Sequence, residues 1–545
     1  MAEEDIIFGK KRHFFGGIEP SNMLIFNATP LRDVEKDTIG IRLTCKLPKN
    51  TVIDNQMICT VSGAVIRRSS EHYPINEFDG VQIADIKEDT VLIDNDVESD
   101  ITYYYAAFPY SSLDVYNRNI WNRAEATPTT KRSYYFGYDI DLSDPDPITR
   151  VSYPSDVDNA DYEPAGMNWS KDSTIKSTSS YAFDYGNWPK SGEKFMPKPC
   201  MINIETGEVY KYADPDNMTH YEDGTPISNL DSLAYMIEWP KIYTKREEVD
   251  GIYKFRCSDV PEDDTWNCWC NYDENNNIID HFYISQCYAY TTIVEGVKKL
   301  KPNYKSDSAS ELSISDARTY AKNTGDGLSP FRLVDNLLIQ DLLVMMGKTT
   351  DTQSRFGYSF KTSNSSTSSK VTYNHMFFGF NYDDETRSTS NSVFGMTGYM
   401  ASQELIDGWI LKYDESGTSA VQAIKITESM VDGSTGVGFN NDGDGYIEIE
   451  DTRRTSTTTN FISKMVTTPF GRLPHITEGS SSTYETDAIY IGSMTSGQAN
   501  KAYIAYKNPN HSTTYGYRLG AFSVGFSSST SGSIHLSYKP PKKSS

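Results

Sequence analysis

Short stretches in which apolar and polar residues alternate run through the first quarter of the chain. Residues 41–47 (Ile-Arg-Leu-Thr-Cys-Lys-Leu), 64–68 and 102–108 show this pattern, which is typical of half-buried β-strands. Turn-forming residues separate them at Asp79-Gly80 and at residues 94–96. The pattern predicts a small β-sandwich over residues 25–123.

The C-terminal end shows a similar alternation. Residues 502–508, 515–526 and 534–541 read as strands, and loops rich in tyrosine, asparagine and serine separate them. A rigid framework that carries adaptable polar and aromatic loops is typical of recognition modules. We therefore expect this part of the chain to bind another molecule.

Two helices are predicted between these regions. Ser315 is the expected N-cap of the first helix, which runs to residue 323 and stops at Gly325. Ser329-Pro330 is expected to open the second helix, because proline fits the first helical position, and Gly347 is expected to end it. The second helix is predicted to carry one apolar stripe, made of Phe331, Val334, Leu337, Leu338, Leu342 and Met345.

The length of 545 residues implies about three domains, because one core rarely serves more than about 250–300 residues. Residues 1–24 are expected to be an anchoring segment, residues 25–123 the sandwich, residues 124–300 a hinge (residues 124–150, with one short strand inside it) and a mixed, β-rich middle domain, and residues 301–545 the recognition domain. A hairpin turn is predicted at residues 273–277, between strands at 265–270 and 281–285. The expected fold class is multidomain and mainly β, with an α+β C-terminal part.

A formal net charge of -23 excludes some partners. This charge repels phosphate backbones and anionic membranes, so nucleic acid is not expected to bind. The start of the chain, Met1 to Asp5, is acidic and lacks the apolar run of a secretion signal, so we expect synthesis in a cytoplasm. The longest apolar stretch, residues 337–346, is too short to cross a bilayer, and we expect no membrane insertion.

Seven cysteines are spread along the chain. An odd number without a secretion signal favours free thiols over disulfides. Cys268 and Cys270 are separated by one residue instead of two, and no pair of histidines lies near them in the sequence to complete a zinc site. We expect ordinary buried thiols at these positions.

A set of short motifs follows one another in the second part of the chain. They are residues 138–141 with 151–153, 236–241 (Met-Ile-Glu-Trp-Pro-Lys), 317–322, 337–353, 470–472 (Phe-Gly-Arg), 520–522 and 536–541 (Leu-Ser-Tyr-Lys-Pro-Pro). Their order and spacing resemble those of phage tail and other virion structural proteins with a C-terminal C-type-lectin-like domain. The strands and turns of residues 25–123 resemble the fibronectin-type-III-like modules that are common in phage tail proteins.

The resemblance implies a two-helix, twisted-sheet fold in a bacteriophage fibre or spike of the tail or head. Such a protein attaches to other virion proteins through its N-terminal part and binds a host cell-surface receptor, a glycan or a protein, through its lectin-like domain. We expect a virion component and a symmetric homo-oligomer, with a trimer favoured, because multivalency strengthens weak sugar binding. Relatives often carry Trp-Gly motifs in the middle segment, whereas this chain has only Gly408-Trp409, so residues 395–450 fit the pattern less well.

In relatives, the tract before the final strand presents the ligand-facing side chains. Saccharide binding needs flat apolar faces for sugar rings and polar groups for hydroxyls, which tyrosine and asparagine supply. For any single residue the alternative is packing on the scaffold, because half of a strand's side chains face inward. Carried over to this sequence, the expected receptor-binding residues are Tyr503, Tyr506, Asn508, Asn510, His511, Tyr515, Tyr517 and Arg518.

Residues 440–451 have the layout of a twelve-residue calcium loop. Oxygen ligands would come from Asn440, Asp442, Asp444, Glu448 and Asp451, with a glycine at the sixth position. The first ligand is asparagine instead of aspartate, the last is aspartate instead of glutamate, and no flanking helices are predicted. A polar, glycine-rich hairpin is the alternative, and calcium is the only cofactor that the sequence suggests.

The short motifs of common hydrolases and phosphate-binding enzymes are missing from the sequence. Carboxylate pairs such as Glu404 and Asp407 arise by chance in so acidic a chain. We therefore expect no enzymatic activity. Two alternatives stay open, namely a purely structural head or tail decoration protein without a receptor role, and a glycan depolymerase, whose acids can lie far apart in sequence.

Overall fold

The structure is a computed structural model. It describes residues 18–33, 38–53, 56–129, 131–167, 183–228, 233–263, 265–302, 312–356, 376–377, 392–399, 404–415, 420–424, 447–451, 460–476, 479–480, 482–486, 488–490, 502–507, 524–527 and 532–541. The protein is mainly β, as the sequence predicts.

Residues 25–126 form a β-sandwich of two antiparallel sheets. In spatial order, one contains β1 (Ile25–Asp33), β2 (Thr38–Lys46) and β7 (Thr90–Asp94), and the other contains β6 (Val81–Ile86), β5 (Val61–Ser69), β8 (Tyr103–Ser111) and β9 (Arg123–Ala126). A hairpin of β3 (Thr51–Ile53) and β4 (Gln56–Cys59) lies between β2 and β5 in the chain. The strands predicted at residues 41–47, 64–68 and 102–108 are confirmed as β2, β5 and β8.

The alternation of apolar and polar residues along the strands explains the core of the sandwich. Ile41, Leu43 and Cys45 point inward from β2 and pack with Ile66 and Tyr105 from the other sheet, all at most 2% exposed. Residues 124–150, predicted as a hinge, are mostly built into the two neighbouring bodies. Strand β9 belongs to the sandwich, and β10 (Tyr135–Asp141) belongs to the next hydrophobic core.

The sandwich is fixed to the rest of the protein by hydrogen bonds from its β1–β2–β7 sheet. The Asn27 amide donates to the Asn276 carbonyl oxygen at 2.5 Å, and the Arg42 guanidinium donates to the Trp266 carbonyl oxygen at 3.1 Å. Both side chains are buried. The two bodies therefore have a defined orientation.

Within the described residues, two larger sheets organise the remainder. Sheet A contains, in order, β16 (Asn217–Tyr221), β15 (Glu208–Asp214), β14 (Lys198–Asn203), β17 (Leu233–Pro240), β20 (His281–Ser285), β35 (Leu536–Tyr538) and β23 (Leu328–Pro330). Sheet B contains β28 (Ile447–Asp451), β27 (Ala420–Ile424), β26 (Glu404–Tyr413), β33 (Ala502–Lys507), β34 (Val524–Ser527), β32 (Ala488–Tyr490) and β29 (Asn460–Phe461).

Smaller sheets complete the described strands. A four-stranded sheet has the order β11 (Val151–Ser152), β10, β19 (Ile252–Ser258) and β18 (Tyr243–Val249). The two-stranded pairs are β12 (Gly166–Met167) with β13 (Phe183–Asp184), β21 (Ala289–Val294) with β22 (Val297–Pro302), β24 (Ser392–Val393) with β25 (Met396–Thr397), and β30 (Lys464–Thr468) with β31 (Gly471–Ile476).

The described α-helices are α1 (Ile314–Thr324), α2 (Leu333–Gly347) and α3 (Thr352–Phe356). The first predicted helix is confirmed, and Gly325 ends it as expected. Its N-cap is Ser313 instead of Ser315, because the Ser313 hydroxyl accepts the Asp316 N–H at 3.2 Å. None of these helices, within the described ranges, is long and apolar enough to cross a membrane.

The prediction that Ser329-Pro330 opens the second helix is wrong. These residues belong to β23, which pairs with β35 at the edge of sheet A, where a missing proline N–H is tolerated. Helix α2 begins at Leu333. The predicted single apolar stripe is also wrong, because all 15 residues of α2 are buried, and Asp335 and Asp341 accept hydrogen bonds from buried side chains.

The turn predicted at residues 273–277 is confirmed. The Asp273 carboxylate accepts the N–H groups of Asn275 and Asn277 at 2.9 Å and 2.8 Å. The following strand is β20, but the preceding segment ends in a 3-10 helix, Trp269–Asn271, instead of a strand. Two residues that flank the turn, Tyr272 and Ile278, form a single β-bridge.

Sheet A joins strands from both sides of residue 300. One large hydrophobic core also runs from Tyr134 to Ala505, with α2 buried inside it. The division expected at residue 300 therefore crosses one sheet and one core. All seven cysteines lie within the described residues as buried free thiols.

Candidate functional site

The predicted receptor-binding tract begins in the interior of sheet B. Strand β33 lies between β26 and β34, and Tyr506 pairs with Leu405 on one side and with Gly525 on the other. Tyr503 and Tyr506 are in β33. The other predicted receptor residues lie outside the described residues, and they are Asn508, Asn510, His511, Tyr515, Tyr517 and Arg518.

The described residues on either side of residues 508–523 are neighbours. Lys507 and Val524 are opposite each other in the antiparallel pair of β33 and β34. The last residue of β33 and the first residue of β34 therefore meet at one place in sheet B, with β26 and β32 on either side of the pair.

A buried group of three ionisable side chains lies at the same place. Glu404, Lys507 and His535 are each 0% exposed. The Nδ1 atom of His535 is 2.6 Å from Glu404 Oε1, and Lys507 Nζ is 3.5 Å from Glu404 Oε2. Glu404 is opposite Lys507 in the β26–β33 pair, which explains why the two side chains meet.

Aromatic rings surround this group. Lys507 Nζ lies 3.6 Å from the centre of the Tyr399 ring and 4.6 Å from that of Phe331. The His535 ring lies 4.3 Å from that of Tyr288. Cation–π attraction compensates for part of the water that the lysine has lost.

Burial controls the charges of this group. It lowers the pKa of Lys507 to about 8, and Glu404 opposes this effect only in part. Burial alone would raise the pKa of Glu404, but the attraction of Lys507 and His535 outweighs it, so the pKa of this carboxyl is lowered. Glu404 is therefore ionised at neutral pH, and Lys507 loses its proton more readily than an ordinary lysine.

A second buried pair holds the final strand against helix α2. Lys539 Nζ is 2.8 Å from Asp335 Oδ1 and also donates to the Cys270 carbonyl oxygen. The Ser537 hydroxyl donates to Asp335 Oδ2 at 2.6 Å. The C-terminal Leu-Ser-Tyr-Lys-Pro motif thus contributes two side chains to one buried carboxylate.

A buried triad fixes the Phe-Gly-Arg strand. Glu485 Oε1 lies 3.1 Å from Arg150 NH1 and also accepts a hydrogen bond from Arg472 NH2, and all three side chains are at most 2% exposed. Two cations and one anion leave a net positive charge in the interior. Removal of the Glu485 carboxylate would leave two buried cations uncompensated, which is strongly destabilising.

Glu404 and Asp407, which lie close together in the sequence, contact different partners in the structure. Asp407 accepts a hydrogen bond from Arg318 Nε at 2.9 Å, whereas Glu404 faces Lys507 and His535. The two carboxylates therefore do not form a pair with each other. Among the described residues, no group of three or more His, Cys, Asp or Glu side chains could hold a metal ion.

The predicted calcium loop lies mostly outside the described residues. Three of its predicted ligands, Asn440, Asp442 and Asp444, are not among the described residues. Glu448 and Asp451 are in β28, which pairs with β27 in sheet B. Calcium binding at this loop stays a prediction.

The structure contains a cleft that the sequence did not predict. It has a volume of about 1360 Å³ and lies between the sandwich and the body that contains sheet A. Trp121, which is 47% exposed, lines the sandwich side, and Lys241 and His281 line the other. The carboxylates in its described lining are those of Glu125, Glu205, Asp259, Asp280 and Asp326.

Neither the buried groups nor the cleft could be found from sequence spacing. Glu404 and His535 are 131 positions apart, and Asp335 and Lys539 are 204 apart. The sequence indicates these buried groups only through charged residues in apolar surroundings. Examples are the lysine at the end of the apolar strand of residues 502–507 and Asp335 within an apolar helix.

Comparisons with protein-family models, with curated proteins and with solved structures each found no match.

Proposed function

We propose that this protein is a bacteriophage fibre or spike protein that binds a host cell-surface receptor, a glycan in the first place, through its C-terminal lectin-like domain. Its N-terminal part attaches it to other virion proteins. The functional unit is a homo-oligomer, a trimer, which combines weak sites into strong attachment. The protein acts by recognition and not by catalysis.

The strands that flank residues 508–523 in the sequence support this proposal. Lys507 and Val524 face each other in the β33–β34 pair, and the sequence between them contains Asn508, Asn510, His511, Tyr515, Tyr517 and Arg518. The framework at Lys507 contains the buried group of Glu404, Lys507 and His535. A preorganised framework lowers the entropic cost of binding.

The sandwich supports the N-terminal half of the proposal. Three strands in one sheet and four in the other, all antiparallel, suit the fibronectin-type-III-like module that the sequence resembles. Its hydrogen bonds to the Trp266 and Asn276 carbonyl oxygens make it a fixed spacer. Modules of this kind place a recognition domain at a distance from a particle.

The proposal is tested with the full-length protein on a glycan array and in competition with phage adsorption to host cells. The triple variant Tyr506→Ala, His511→Ala and Tyr517→Ala should lose binding. A matched control replaces the exposed residues Phe78 and Tyr210 by alanine and should bind normally. Equal binding by both variants and the wild type, all folded, would contradict the receptor role and favour a structural decoration protein.

The cleft favours a second candidate, a glycan depolymerase. Glycoside hydrolysis uses a pair of carboxyl groups beside the bound sugar, and several carboxylates and an exposed tryptophan line this cleft. Incubation of the protein with host capsule, followed by detection of released oligosaccharides, tests this activity. Release that Trp121→Ala abolishes would establish the second candidate in place of the first.

A further inference from the structure

Two fully buried lysines face carboxylates in the described part of the protein, and their nitrogen atoms differ in hydrogen bonding. Lys539 Nζ donates to Asp335 and to the Cys270 carbonyl oxygen. Lys507 Nζ has no hydrogen-bond partner among the described protein atoms, and neither has the Glu404 Oε2 atom that it faces at 3.5 Å. Only the second pair is left unsatisfied.

Burial disfavours the charged form of Lys507. Both Lys507 and Glu404 are 0% exposed, and the rings of Tyr399 and Phe331 compensate for only part of the hydration that an ammonium loses. An amine in an apolar, water-excluding pocket loses the stabilisation of its charged form and gains nucleophilicity. The two residues are direct cross-strand partners in β26 and β33, so the nitrogen and the carboxyl group are held together.

We propose that Lys507 and Glu404 condense to form an intramolecular isopeptide bond between Nζ and Cδ. This bond does not depend on the proposed receptor role. It converts a buried site with the appearance of an ordinary ion pair into a covalent link.

The reaction needs no external reagent. A proton passes from the Lys507 ammonium to the Glu404 carboxylate, and the neutral Nζ then attacks Cδ. His535 Nδ1, 2.6 Å from Oε1, is placed to donate a hydrogen bond to this oxygen as negative charge develops on it. The new bond is N–C, the bond that breaks is Cδ–Oε2, and Oε2 leaves as water with the two protons that the nitrogen loses.

The product removes the unsatisfied Glu404 Oε2 atom and both charges from the interior, and it leaves the nitrogen as a neutral amide N–H. It also joins β26 covalently to β33 at the point where residues 508–523 begin. Lys539 is the internal comparison, because its nitrogen already donates hydrogen bonds to Asp335 and to the Cys270 carbonyl oxygen, whereas Lys507 Nζ has no such partner among the described atoms.

The test is mass spectrometry of the purified full-length wild-type protein, which needs no variant to fold. We expect an intact mass lower than the sequence mass by one water molecule. Trypsin does not cleave after an acylated lysine, so digestion should yield residues 388–412 joined to residues 502–518 in one branched peptide. Recovery of residues 502–507 and 388–412 only as separate, unmodified peptides would overturn the proposal.

Two lysine variants locate the bond. Lys507→Arg should restore the sequence-predicted mass, whereas Lys539→Arg should keep the loss of one water molecule. His535→Ala should form the bond more slowly after synthesis, seen as a mixture of linked and unlinked protein. A mass loss that persists in Lys507→Arg would place the modification elsewhere and contradict the proposal.

Discussion

Asp341 Oδ2 lies 2.7 Å from Arg246 Nε, and neither side chain is more than 4% exposed. The other oxygen, Oδ1, accepts the hydroxyl groups of Tyr138 at 2.8 Å and Tyr253 at 3.0 Å. One carboxylate on α2 therefore connects the helix to strands β10, β18 and β19. These contacts attach the four-stranded sheet to the large core.

We predict that Asp341→Asn destabilises the protein by about 3–5 kcal/mol, because it leaves the Arg246 charge buried without a counter-ion. The measurement is urea unfolding followed by tryptophan fluorescence. Asp280→Asn is the control, since Asp280 is 79% exposed in its pair with Lys241 and its loss should cost about 0–1 kcal/mol. Equal unfolding midpoints for both variants would contradict the buried role of Asp341.

The same helix shows where sequence reasoning fails. Strands such as β2 were predictable because a sheet with one buried face leaves a visible alternation, as in Ile41, Leu43 and Cys45. Helix α2 has polar residues at positions that would face water on a surface helix. They are buried because Asp341 and Asp335 have partners far away in the chain, Arg246 and Lys539 among them.

The strands of this region were predictable, whereas the buried group was not. The alternating sequence indicated strands at residues 502–508 and 515–526, and β33 and β34 are present, whereas receptor binding by residues 503–518 stays a prediction. The buried group was hidden, because Glu404, Lys507 and His535 belong to three separate segments. No local pattern can indicate that a distant chain segment will bury a given lysine.

We predict that Gly327→Ala is more destabilising than Gly224→Ala. The two glycines have the same backbone strain, with φ of 81° and 80°, so alanine costs roughly 1–2 kcal/mol at each. A Cβ at Gly327 would lie 2.2 Å from the Lys539 carbonyl oxygen, whereas nothing lies within 4 Å at Gly224. The clash should add about 1–3 kcal/mol to the loss in unfolding free energy, measured in urea. Identical losses would show that the C-terminal strand does not approach Gly327 this closely.

Thiol reactivity should separate the folded from the unfolded protein. All seven cysteines are buried, and burial raises the pKa of Cys268 to about 11 and that of Cys45 to about 12. We expect a colorimetric thiol reagent to modify none of them in the native protein and all seven in guanidinium. Rapid native reaction of even one thiol would contradict its burial, and Cys→Ser variants would identify it.

Alkaline pH should unfold the protein through its buried tyrosines. Burial raises the pKa of Tyr134, Tyr138, Tyr243 and Tyr253 well above the usual value of 10.0, and Asp341 adds to this shift at Tyr138 and Tyr253. Because the pKa of each buried tyrosine is higher in the folded than in the unfolded protein, these groups favour folding fully below pH 10. Above pH 10 this contribution falls by about 1.4 kcal/mol per pH unit for each tyrosine.

Phenolate absorbance and near-ultraviolet circular dichroism, recorded together from pH 8 to 12, measure this loss of stability. Some phenols should ionise only as the dichroism collapses, and Tyr243→Phe should remove one of them. Complete ionisation with the dichroism unchanged would contradict burial, because a phenolate cannot form in a core that stays closed to water.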